Sequence, residues 1–527
     1  MPKKKVKVVV GYPPVESKKG VPLLSQNRQF QYFNAPTFIY PMVPAYAASL
    51  AKKRGYDVYW MDGIAEGKKY NKWVGELVTL EPDFILIEVK APIVKKFWKK
   101  VDDIKKRCPE TIVVLSGDHV TYDPVETLDN CKVDYIITGG DYDFVFSDLL
   151  DALTKGNTFP GGVWSRKESK GFEKKGRYWC TGGMDLHHNL DDLPFVDRDL
   201  TKWKLYAYAN GNYKFKPATY MYSGRDCWWN RCTFCIWDHV LYPPGKYRRF
   251  SPERLFAEVK HVVDNYGVKE IFDDAGTLFV GPPLKKFCEM LIDSGYNKKV
   301  VYSCNMRINA LTREYYDLMA EANFRFILYG LESGNQETLD KLDKGLRVEE
   351  IEPNLKNAKE AGLEPHVTIM LGYPWETEEM AQNTINVSKE LFKKGYVDTM
   401  QATIVIPYPG SPLYKQCQEN DWFQVDPKDY EKFDMRHPVM KVPFSNERLL
   451  ELTQSLYSSF FSPQYLWRKI KAIRTKEDIR WFFMAARRLL AHLLDFDKEQ
   501  EGVNWWHPKF WIDAVKSMLG HLKKSNK

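Results

Sequence analysis

Two runs of alternating strand and helix patterns constrain the fold of this 527-residue chain more than any other feature. The first run predicts five strands, at Lys5–Val10, Asp57–Met61, Asp83–Val89, Thr111–Leu115 and Val133–Ile137. Strands that alternate with helices at this spacing predict a parallel sheet covered on both faces. Residues 1–155 are therefore predicted to form a doubly wound, Rossmann-like α/β domain, whose ligands would lie at the carboxyl ends of the strands.

The second run predicts six more strands, each followed by a helical pattern. They lie at Ala218–Ser223, Glu270–Phe272, Val300–Cys304, Arg325–Leu331, His366–Leu371 and Thr399–Ile406. Repeated strand–helix units without a hairpin signal predict a partial (β/α)6 barrel of the TIM type, with its active site at the carboxyl ends of the strands. We place this barrel at residues 206–440, after a linker at 156–205 that is rich in Gly, Lys and Asp, and predict a helical C-terminal region at 441–527.

Charge and hydropathy narrow the class of protein. The net charge is +8, but residues 462–527 carry an excess of seven positive charges and the rest is nearly neutral. A chain without a basic surface throughout is not expected to bind nucleic acid. No stretch of about 18 uninterrupted apolar residues occurs, and the N-terminus lacks the apolar run of a signal peptide. A cytoplasmic location is therefore expected.

Three of the nine cysteines are clustered, at Cys227, Cys232 and Cys235, just after the first strand of the second run. Thiolates at this spacing can ligate three irons of a [4Fe-4S] cluster and leave the fourth iron open for a substrate. A structural zinc site would need a fourth ligand, which His239 is placed to supply. The spacing alone leaves both metals open.

Five motifs that follow one another along the chain resemble those of one enzyme family. They are Gly224–Asp238 around the cysteines, Phe272–Asp274, Gly330–Gly334 followed by Lys344-Gly345, Leu371–Thr377, and Pro407–Tyr414. Together they resemble the radical S-adenosylmethionine (radical SAM) superfamily, and in particular its branch with an N-terminal cobalamin-binding domain. That branch includes the anaerobic magnesium-protoporphyrin ester cyclase and hopanoid-pathway enzymes, and the resemblance covers roughly residues 1–440.

The resemblance implies a set of cofactor-binding residues in the second domain. S-adenosylmethionine would chelate the open iron, Phe234 would pack on its adenine, and Glu332 would accept hydrogen bonds from its ribose or amino group. Arg307 would bind its carboxylate, because the guanidinium fork matches two oxygens, and Asp273 and Gly372 would also contribute. Two alternatives remain: Glu332 and Arg307 form an ordinary buried ion pair, or Asp273 and Asp274 cap the turn that follows them.

The cluster motif departs from the family pattern in one respect. Four residues separate Cys227 from Cys232, where the family usually has three. An extra residue is therefore expected to bulge between these two cysteines, although the number of ligands, on which the open iron depends, is unchanged.

In the N-terminal domain, the resemblance implies a cobalamin site at Tyr12, Ser116, Gly117, Gly139 and Gly140. Glycines at strand ends let the backbone approach a large ligand. Two positions depart from the usual family pattern: Ser116-Gly117-Asp118-His119 lies where Gly-Gly-Pro-His is common, and Gly140-Asp141-Tyr142 lies where a Glu-containing turn is common. Two alternatives remain: a radical SAM enzyme that does not use cobalamin, and a cobalamin-binding sensor.

The expected function is an enzyme that functionalises an unactivated carbon, by C-methylation or by C–C bond formation that closes a ring (cyclisation), in a hydrophobic or lipid-like small molecule. A reducing electron donor such as ferredoxin or flavodoxin would be its partner. Residues 462–527 combine basic and aromatic residues at helical spacing. Such helices either pack against a neighbouring domain or lie on an anionic membrane, and the second case would place the protein at the inner membrane surface.

Overall fold

The computed structural model describes residues 5–23, 30–33, 36–208, 210 and 212–495, without the side chains of 486–495. In its N-terminal part the elements are β1 (Lys7–Tyr12), β2 (Val21–Pro22), β3 (Tyr32–Phe33), α1 (Met42–Lys53), β4 (Asp57–Asp62), α2 (Tyr70–Leu80), β5 (Phe84–Glu88), α3 (Val94–Arg107), β6 (Ile112–Ser116), α4 (Asp118–Tyr122), α5 (Pro124–Asn130), β7 (Tyr135–Ile137) and α6 (Tyr142–Lys155).

Five of these strands form the parallel sheet that the first run predicts, and β2 and β3 form a separate antiparallel pair with each other. The order of the five parallel strands is β4-β1-β5-β6-β7, and each neighbouring pair is parallel. The central strands are buried: Val8, Val9 and Ile85 have no exposed surface. Strands buried on both faces appear in the sequence as continuous apolar runs, which is why their positions could be predicted.

Part of the predicted linker belongs to this sheet instead. β8 (Val163–Ser165), β9 (Glu173–Lys175) and β10 (Tyr178–Cys180) extend it with antiparallel pairs, in the order β7-β8-β10-β9. Each of these strands has three residues, which is too short to show an alternating pattern in the sequence. The linker predicted at 156–205 is therefore wrong for residues 163–180.

The second part contains β11 (Ala218–Met221), β12 (Gly224–Arg225), β13 (Arg248–Arg249), α7 (Pro252–Tyr266), β14 (Glu270–Asp273), α8 (Pro282–Asp293), β15 (Val301–Met306), α9 (Arg313–Glu321), β16 (Phe324–Glu332), α10 (Gln336–Lys341), α11 (Val348–Glu360), β17 (Glu364–Leu371), α12 (Glu378–Lys394), β18 (Thr399–Ile404) and α13 (Pro412–Glu419). Six of the strands form a parallel sheet in the order β11-β14-β15-β16-β17-β18. Consecutive parallel order is the strand order of the predicted partial barrel.

The C-terminal region is helical as far as the structure describes it, with α14 (Asn446–Ser455), α15 (Pro463–Ala472) and α16 (Lys476–Asp495). Ser445 and Ser462 cap α14 and α15, because each hydroxyl accepts a hydrogen bond from a backbone N–H of the first turn. Among the helices that the structure describes, none combines the length and apolar character needed to cross a membrane.

Candidate active site

One cavity of about 520 Å³ runs along one face of the second sheet. Every strand of that sheet contributes to its wall: Tyr220 from β11, Phe272 from β14, Asn305 from β15, Glu332 from β16, Met370 from β17 and Gln401 from β18. Side chains two residues apart on a strand share a face, and β16 accordingly lines the cavity with alternate residues from Phe326 to Glu332. The cavity therefore follows the strands from their amino ends to their carboxyl ends.

The three clustered cysteines line this cavity together. Cys232 and Cys235 are buried and Cys227 is half-buried. The backbone turns tightly between two of them, since the N–H of Cys235 donates to the carbonyl of Cys232 at 3.0 Å. Burial raises the pKa of Cys232 to about 12, so a bound metal would have to supply the charge that stabilises its thiolate.

The extra residue between Cys227 and Cys232 is absorbed by two residues with left-handed backbone. Asp226 has φ 73° and Asn230 has φ 49°. The side-chain amide of Asn230 donates to Asp226 at 2.6 Å across this turn. Both residues are types that adopt the left-handed conformation more readily than most.

Two tryptophans between the cysteines fix the loop to the rest of the domain. The indole N–H of Trp228 donates to the carbonyl of Leu278 at 3.1 Å, and that of Trp229 donates to the carbonyl of Asp343 at 2.8 Å. The Trp229 ring also occupies the space beside Gly345, where a Cβ atom would lie 2.2 Å from it. These contacts join the loop to two other loops that lie far away in the sequence, one between β14 and α8 and one between α10 and α11.

The geometry favours a cluster over zinc. Within the described residues, no three His, Cys, Asp or Glu side chains converge closely enough to hold one metal ion. The Nε2 atom of His239 lies 3.2 Å from the carbonyl oxygen of Cys232, where it makes a backbone hydrogen bond. A tetrahedral zinc site needs four donors around one point, whereas the thiolates of a cluster bind separate irons.

Glu332 and Lys344 form a buried ion pair beside the cysteines. Lys344 Nζ lies 2.8 Å from Glu332 Oε1 and 5.9 Å from the centre of the Phe234 ring. Glu332 is displaced into the cavity by an irregularity in β16 and has φ 66°. The alternative that Glu332 forms an ion pair with Arg307 is therefore wrong, because the partner of Glu332 is Lys344. Strand patterns could not identify Lys344, although it lies in one of the five motifs.

The guanidinium of Arg307 is fixed by backbone carbonyls through one nitrogen, while another of its N–H groups makes no hydrogen bond within the described part of the chain. Its Nη2 atom donates to the carbonyls of Lys344, at 2.6 Å, and Gly345, at 3.2 Å. Its guanidinium lies 4.0 Å from the centre of the Trp229 ring. The buried Nε–H has no hydrogen-bond partner among the described residues, although Arg307 lines the cavity. A buried unpaired donor is costly, and a carboxylate in the cavity would satisfy it.

Asp273 and Gly372 hold strand ends and do not line the cavity. The carboxylate of Asp273 accepts hydrogen bonds from the N–H groups of Ser223 and Ala275 and from the hydroxyl of Tyr302, and burial raises its pKa to about 6. The turn-capping alternative therefore describes Asp273. Gly372, with φ 96°, donates its N–H to Glu376 at 2.7 Å.

The five residues predicted to contact cobalamin are packed against the protein itself, and none lines the central cavity. Tyr12 is buried and donates to Glu88, and Ser116 has no exposed surface. A Cβ atom on Gly117 would lie 2.2 Å from the carbonyl oxygen of Val89, and one on Gly139 would lie 3.2 Å from Met184.

Gly140 is covered by Tyr242, which follows the cysteine loop. The Tyr242 hydroxyl donates to the carbonyl of Gly140 at 3.0 Å, and a Cβ atom on Gly140 would lie 2.0 Å from the ring. As they stand, these residues do not fit a corrin with its nucleotide tail, since they leave no space at the backbone.

Ion pairs also close the contact between the two domains. Arg248 binds Asp141 with both Nη atoms, and Arg225 binds Asp143. His188 lies 3.4 Å from Asp141 and 3.6 Å from Asp148. Burial lowers the pKa of His188, but its hydrogen bonds to these two carboxylates outweigh burial and raise it to about 9.

The other end of the cavity is uncharged. Its wall contains Phe326, His366, Thr399, Tyr465 and Trp481. Burial lowers the pKa of His366 to about 4, so this ring is neutral. From Glu332 to Phe326 the strand spans roughly 20 Å at about 3.3 Å per residue. The charged wall residues lie at the cysteine end: Asp238, Asp274, Arg307, Glu332 and Lys344.

Comparison with known proteins identifies the domain that contains the cysteines. Residues 221–387 match the Radical SAM superfamily. The chain is 27% identical over 429 residues to an uncharacterized methyltransferase of Pyrococcus horikoshii, an alignment that covers 80% of this chain and 87% of that protein. It is 23% identical to the anaerobic magnesium-protoporphyrin IX monomethyl ester cyclase of Cereibacter sphaeroides, covering 81% of this chain and 68% of that protein.

A further relative is the cytidylyl-2-hydroxyethylphosphonate methyltransferase of Streptomyces wedmorensis, 22% identical over 87% of this chain and 94% of that protein. Two solved structures share the fold. The cobalamin-dependent radical enzyme OxsB, with aqua-cobalamin and S-adenosylmethionine bound, covers 99% of this chain and 80% of its own at 15% identity, with a TM-score of 0.66. The methyltransferase TsrM of Kitasatospora setae, with cobalamin and a [4Fe-4S] cluster bound, covers 99% and 100% at 13% identity, with a TM-score of 0.61. Residues 221–387 therefore form a radical SAM domain, and such a domain implies a [4Fe-4S] cluster and S-adenosylmethionine as cofactors.

Proposed function

We propose that this radical SAM enzyme replaces a hydrogen atom on an unactivated carbon of an elongated hydrophobic molecule with a methyl group. The hydrogen atom would leave as part of 5′-deoxyadenosine, and a second molecule of S-adenosylmethionine, with a second electron from the donor, would supply the methyl group and leave as S-adenosylhomocysteine. One observation carries the proposal: a single cavity joins the three thiols to an uncharged end walled by aromatic side chains. C-methylation is favoured over cyclisation because several relatives are named methyltransferases.

The side chains at the charged end would bind and orient the cofactors. When bound, the cluster and S-adenosylmethionine supply a 5′-deoxyadenosyl radical after one electron arrives from a donor such as ferredoxin or flavodoxin. Cys227, Cys232 and Cys235 hold the cluster. The open donor of Arg307 binds the carboxylate of S-adenosylmethionine, because a fixed guanidinium makes strong charge-assisted hydrogen bonds. Glu332, held by Lys344, accepts hydrogen bonds from the ribose or amino group, and Phe234 packs on the adenine.

The uncharged end selects the substrate. Hydrogen-bonding groups there, such as Gln401 and Thr399, are neutral, and the remaining wall is largely aromatic and aliphatic. Burying a charge in such surroundings is costly unless it is paired. An apolar chain or ring system would instead gain from leaving water. The distance along β16 suits a molecule that is long rather than compact.

Cobalamin is proposed as a further cofactor on the strength of the structural neighbours alone. OxsB and TsrM contain it, but Tyr242, Val89 and Met184 cover the residues expected to bind its tail. The alternatives of a radical SAM enzyme without cobalamin and of a cobalamin-binding sensor are separated by the experiments below.

The first experiment measures whether the chain cleaves S-adenosylmethionine. Anaerobically reconstituted and reduced protein should release 5′-deoxyadenosine and methionine, measured by mass spectrometry. Cys232→Ala protein, treated identically, should release neither. Absence of 5′-deoxyadenosine from protein that contains the cluster would contradict the proposal of an enzyme and would favour the alternative of a cobalamin-binding sensor.

The second experiment tests the substrate class. Lipid extracts from cells that express the wild-type chain should contain a product heavier by one methyl group, which is absent from cells that express Cys232→Ala. Ala485→Trp narrows the uncharged end, since Ala485 lines it, and should lower product formation about tenfold to hundredfold through misplacement of the substrate. Ala472→Trp, on the exposed end of α15, should not. Unchanged lipids in all cells would contradict the hydrophobic substrate.

A further inference from the structure

The helices α15 and α16 present apolar residues on two opposite sides. On the inner side, Tyr465, Trp481 and Phe482 line the uncharged end of the cavity. The packing of the C-terminal helices on a neighbouring domain, one of the two possibilities raised by the sequence, therefore accounts for this side. It does not account for the outer side.

The outer side exposes large apolar side chains. Among the described residues, eight large hydrophobic side chains are exposed, and five of them lie on these two helices: Leu466, Trp467, Ile470, Ile479 and Phe483. Trp467 is 59% exposed and Phe483 is 69% exposed. Their spacing of three or four residues places them on one face of each helix. Exposed apolar groups that are concentrated on two consecutive helices, rather than scattered over the surface, indicate an interaction surface.

Exposed basic residues are interleaved with these apolar groups. They are Lys471, Arg474, Lys476 and Arg480. Lys471 Nζ lies 4.9 Å from the centre of the Trp467 ring, so charge and aromatic surface are adjacent. Residues 471–480 contain two acidic residues, of which Asp478 is paired with Lys214 at 2.7 Å. The outer face is therefore both apolar and positively charged.

We propose that the outer face of α15 and α16 lies on the surface of an anionic lipid bilayer. Amphipathic helices with Lys or Arg beside Trp, Phe and Leu lie in the plane of the membrane interface, where aromatic side chains enter the headgroup region and cations attract anionic lipids. Lipid supplies an apolar layer and negative charge together, which is the complement of this face.

The outer face could also be covered by residues 496–527 of the same chain or by a second copy of the chain, but charge argues against both. Residues 496–527 contain six Lys or Arg and four Asp or Glu, so this segment has the same sign as the face it would cover. A second copy of the chain would bring an identical positive face. Like charges brought together without counter-charges oppose association.

The location of this face gives it a consequence for the proposed reaction. Leu466 lines the cavity and is also 37% exposed, so the uncharged end of the cavity reaches the outer face at this residue. A membrane-bound orientation would let a hydrophobic substrate pass from the bilayer into the cavity without crossing water. This route rests on the proposed function, whereas the docking of the helices does not.

The test is sedimentation of the full-length protein with vesicles, without S-adenosylmethionine or substrate, so that its result is independent of the reaction. Protein should sediment with vesicles of phosphatidylcholine mixed with phosphatidylglycerol and stay in solution with phosphatidylcholine alone. High salt should weaken binding, because it screens the basic residues.

Two double variants separate the apolar and the electrostatic parts. Trp467→Ser with Phe483→Ser, and Lys471→Glu with Arg480→Glu, should each weaken vesicle binding at least about tenfold. Lys72→Glu with Val78→Ser, on the exposed face of α2, is the matched control and should bind as the wild type does. Iron content and circular dichroism of each variant should equal those of the wild type.

Three results would overturn the proposal. The first is equal binding to both kinds of vesicle, or to neither. The second is vesicle binding that appears only after removal of residues 496–527, which would assign the face to that segment. The third is a dimer in light scattering that both double variants disrupt, which would assign the face to a second copy.

Discussion

The carboxyl edges of the two parallel sheets differ, because one borders a cavity and the other is covered by side chains. In the second sheet this edge opens into the cavity that holds the cysteines, Arg307 and Glu332. In the first sheet the corresponding residues are buried, and Gly140 is packed against Tyr242 from the other domain. Both edges would be expected to bind ligands from topology alone. Topology therefore predicts which edge of a sheet could bind a ligand, but side chains from elsewhere in the chain decide whether space for the ligand remains there.

The largest expected effect concerns the open edge. Cys232→Ala should abolish cluster binding, because two thiolates do not retain the three-point attachment. Iron content and the visible absorption of reconstituted protein measure this loss. Cys108→Ser, in the first domain, is the control and should retain iron. A full complement of iron in Cys232→Ala would show that the cluster does not depend on Cys232, and would contradict a cluster site at the edge of the second sheet.

The next effect concerns the unpaired donor at the same edge. Arg307→Ala should weaken S-adenosylmethionine binding about tenfold to hundredfold, the usual value of hydrogen bonds to a charged group. The dissociation constant, measured on protein with its cluster reconstituted, gives the result. Arg313→Ala on the exposed face of α9 should leave it unchanged. Equal affinity in both variants would show that Arg307 only supports the loop at Lys344.

A third prediction concerns the ion pairs that close the first edge. The pKa of His188 is raised by Asp141 and Asp148, and Asp185 and Arg248 also lie beside it. The stabilisation is therefore complete below about pH 6.5 and is lost as the pH rises through about 9, at a cost of about 2–3 kcal/mol in the free energy of unfolding.

Denaturant unfolding at several pH values between these limits measures this dependence. His188→Gln should remove most of it, while the exposed His187→Gln should keep it. An identical pH dependence in wild type and His188→Gln would show that other groups close the contact.

The smallest expected effect tests whether the closed edge can be opened. Tyr242→Ala uncovers Gly140 and should tighten hydroxocobalamin binding by up to about tenfold, because less of the protein is in a conformation that excludes the ligand. Tyr242→Phe keeps the ring and should bind as the wild type does. Absorption spectra during titration report binding, and circular dichroism reports the fold. Tighter binding in neither variant would mean that Tyr242 does not control this edge.

Much of the fold could be predicted because its signals are local. Buried parallel strands are continuous apolar runs, and the strands near Val8 and Ile85 were found by that property. The strands at Val163–Ser165 and Tyr178–Cys180 were missed because three residues show no period. In the site, the cysteines were found by their spacing. Asp273, at the end of β14, and Gly372, directly after β17, lie in the expected motifs, but both make hydrogen bonds within turns and do not line the cavity.

The sequence by itself indicated three candidate thiol ligands and the alternation of strands and helices, because ligand spacing and backbone periodicity are properties of neighbouring residues. Only the tertiary structure decided that Lys344 pairs with Glu332, that Tyr242 covers Gly140, and that α15 and α16 are apolar on two sides. Each of these depends on which distant segments meet during packing. Close packing leaves a cavity only where no side chain arrives to fill it, and the spacing of residues along the chain does not contain that information.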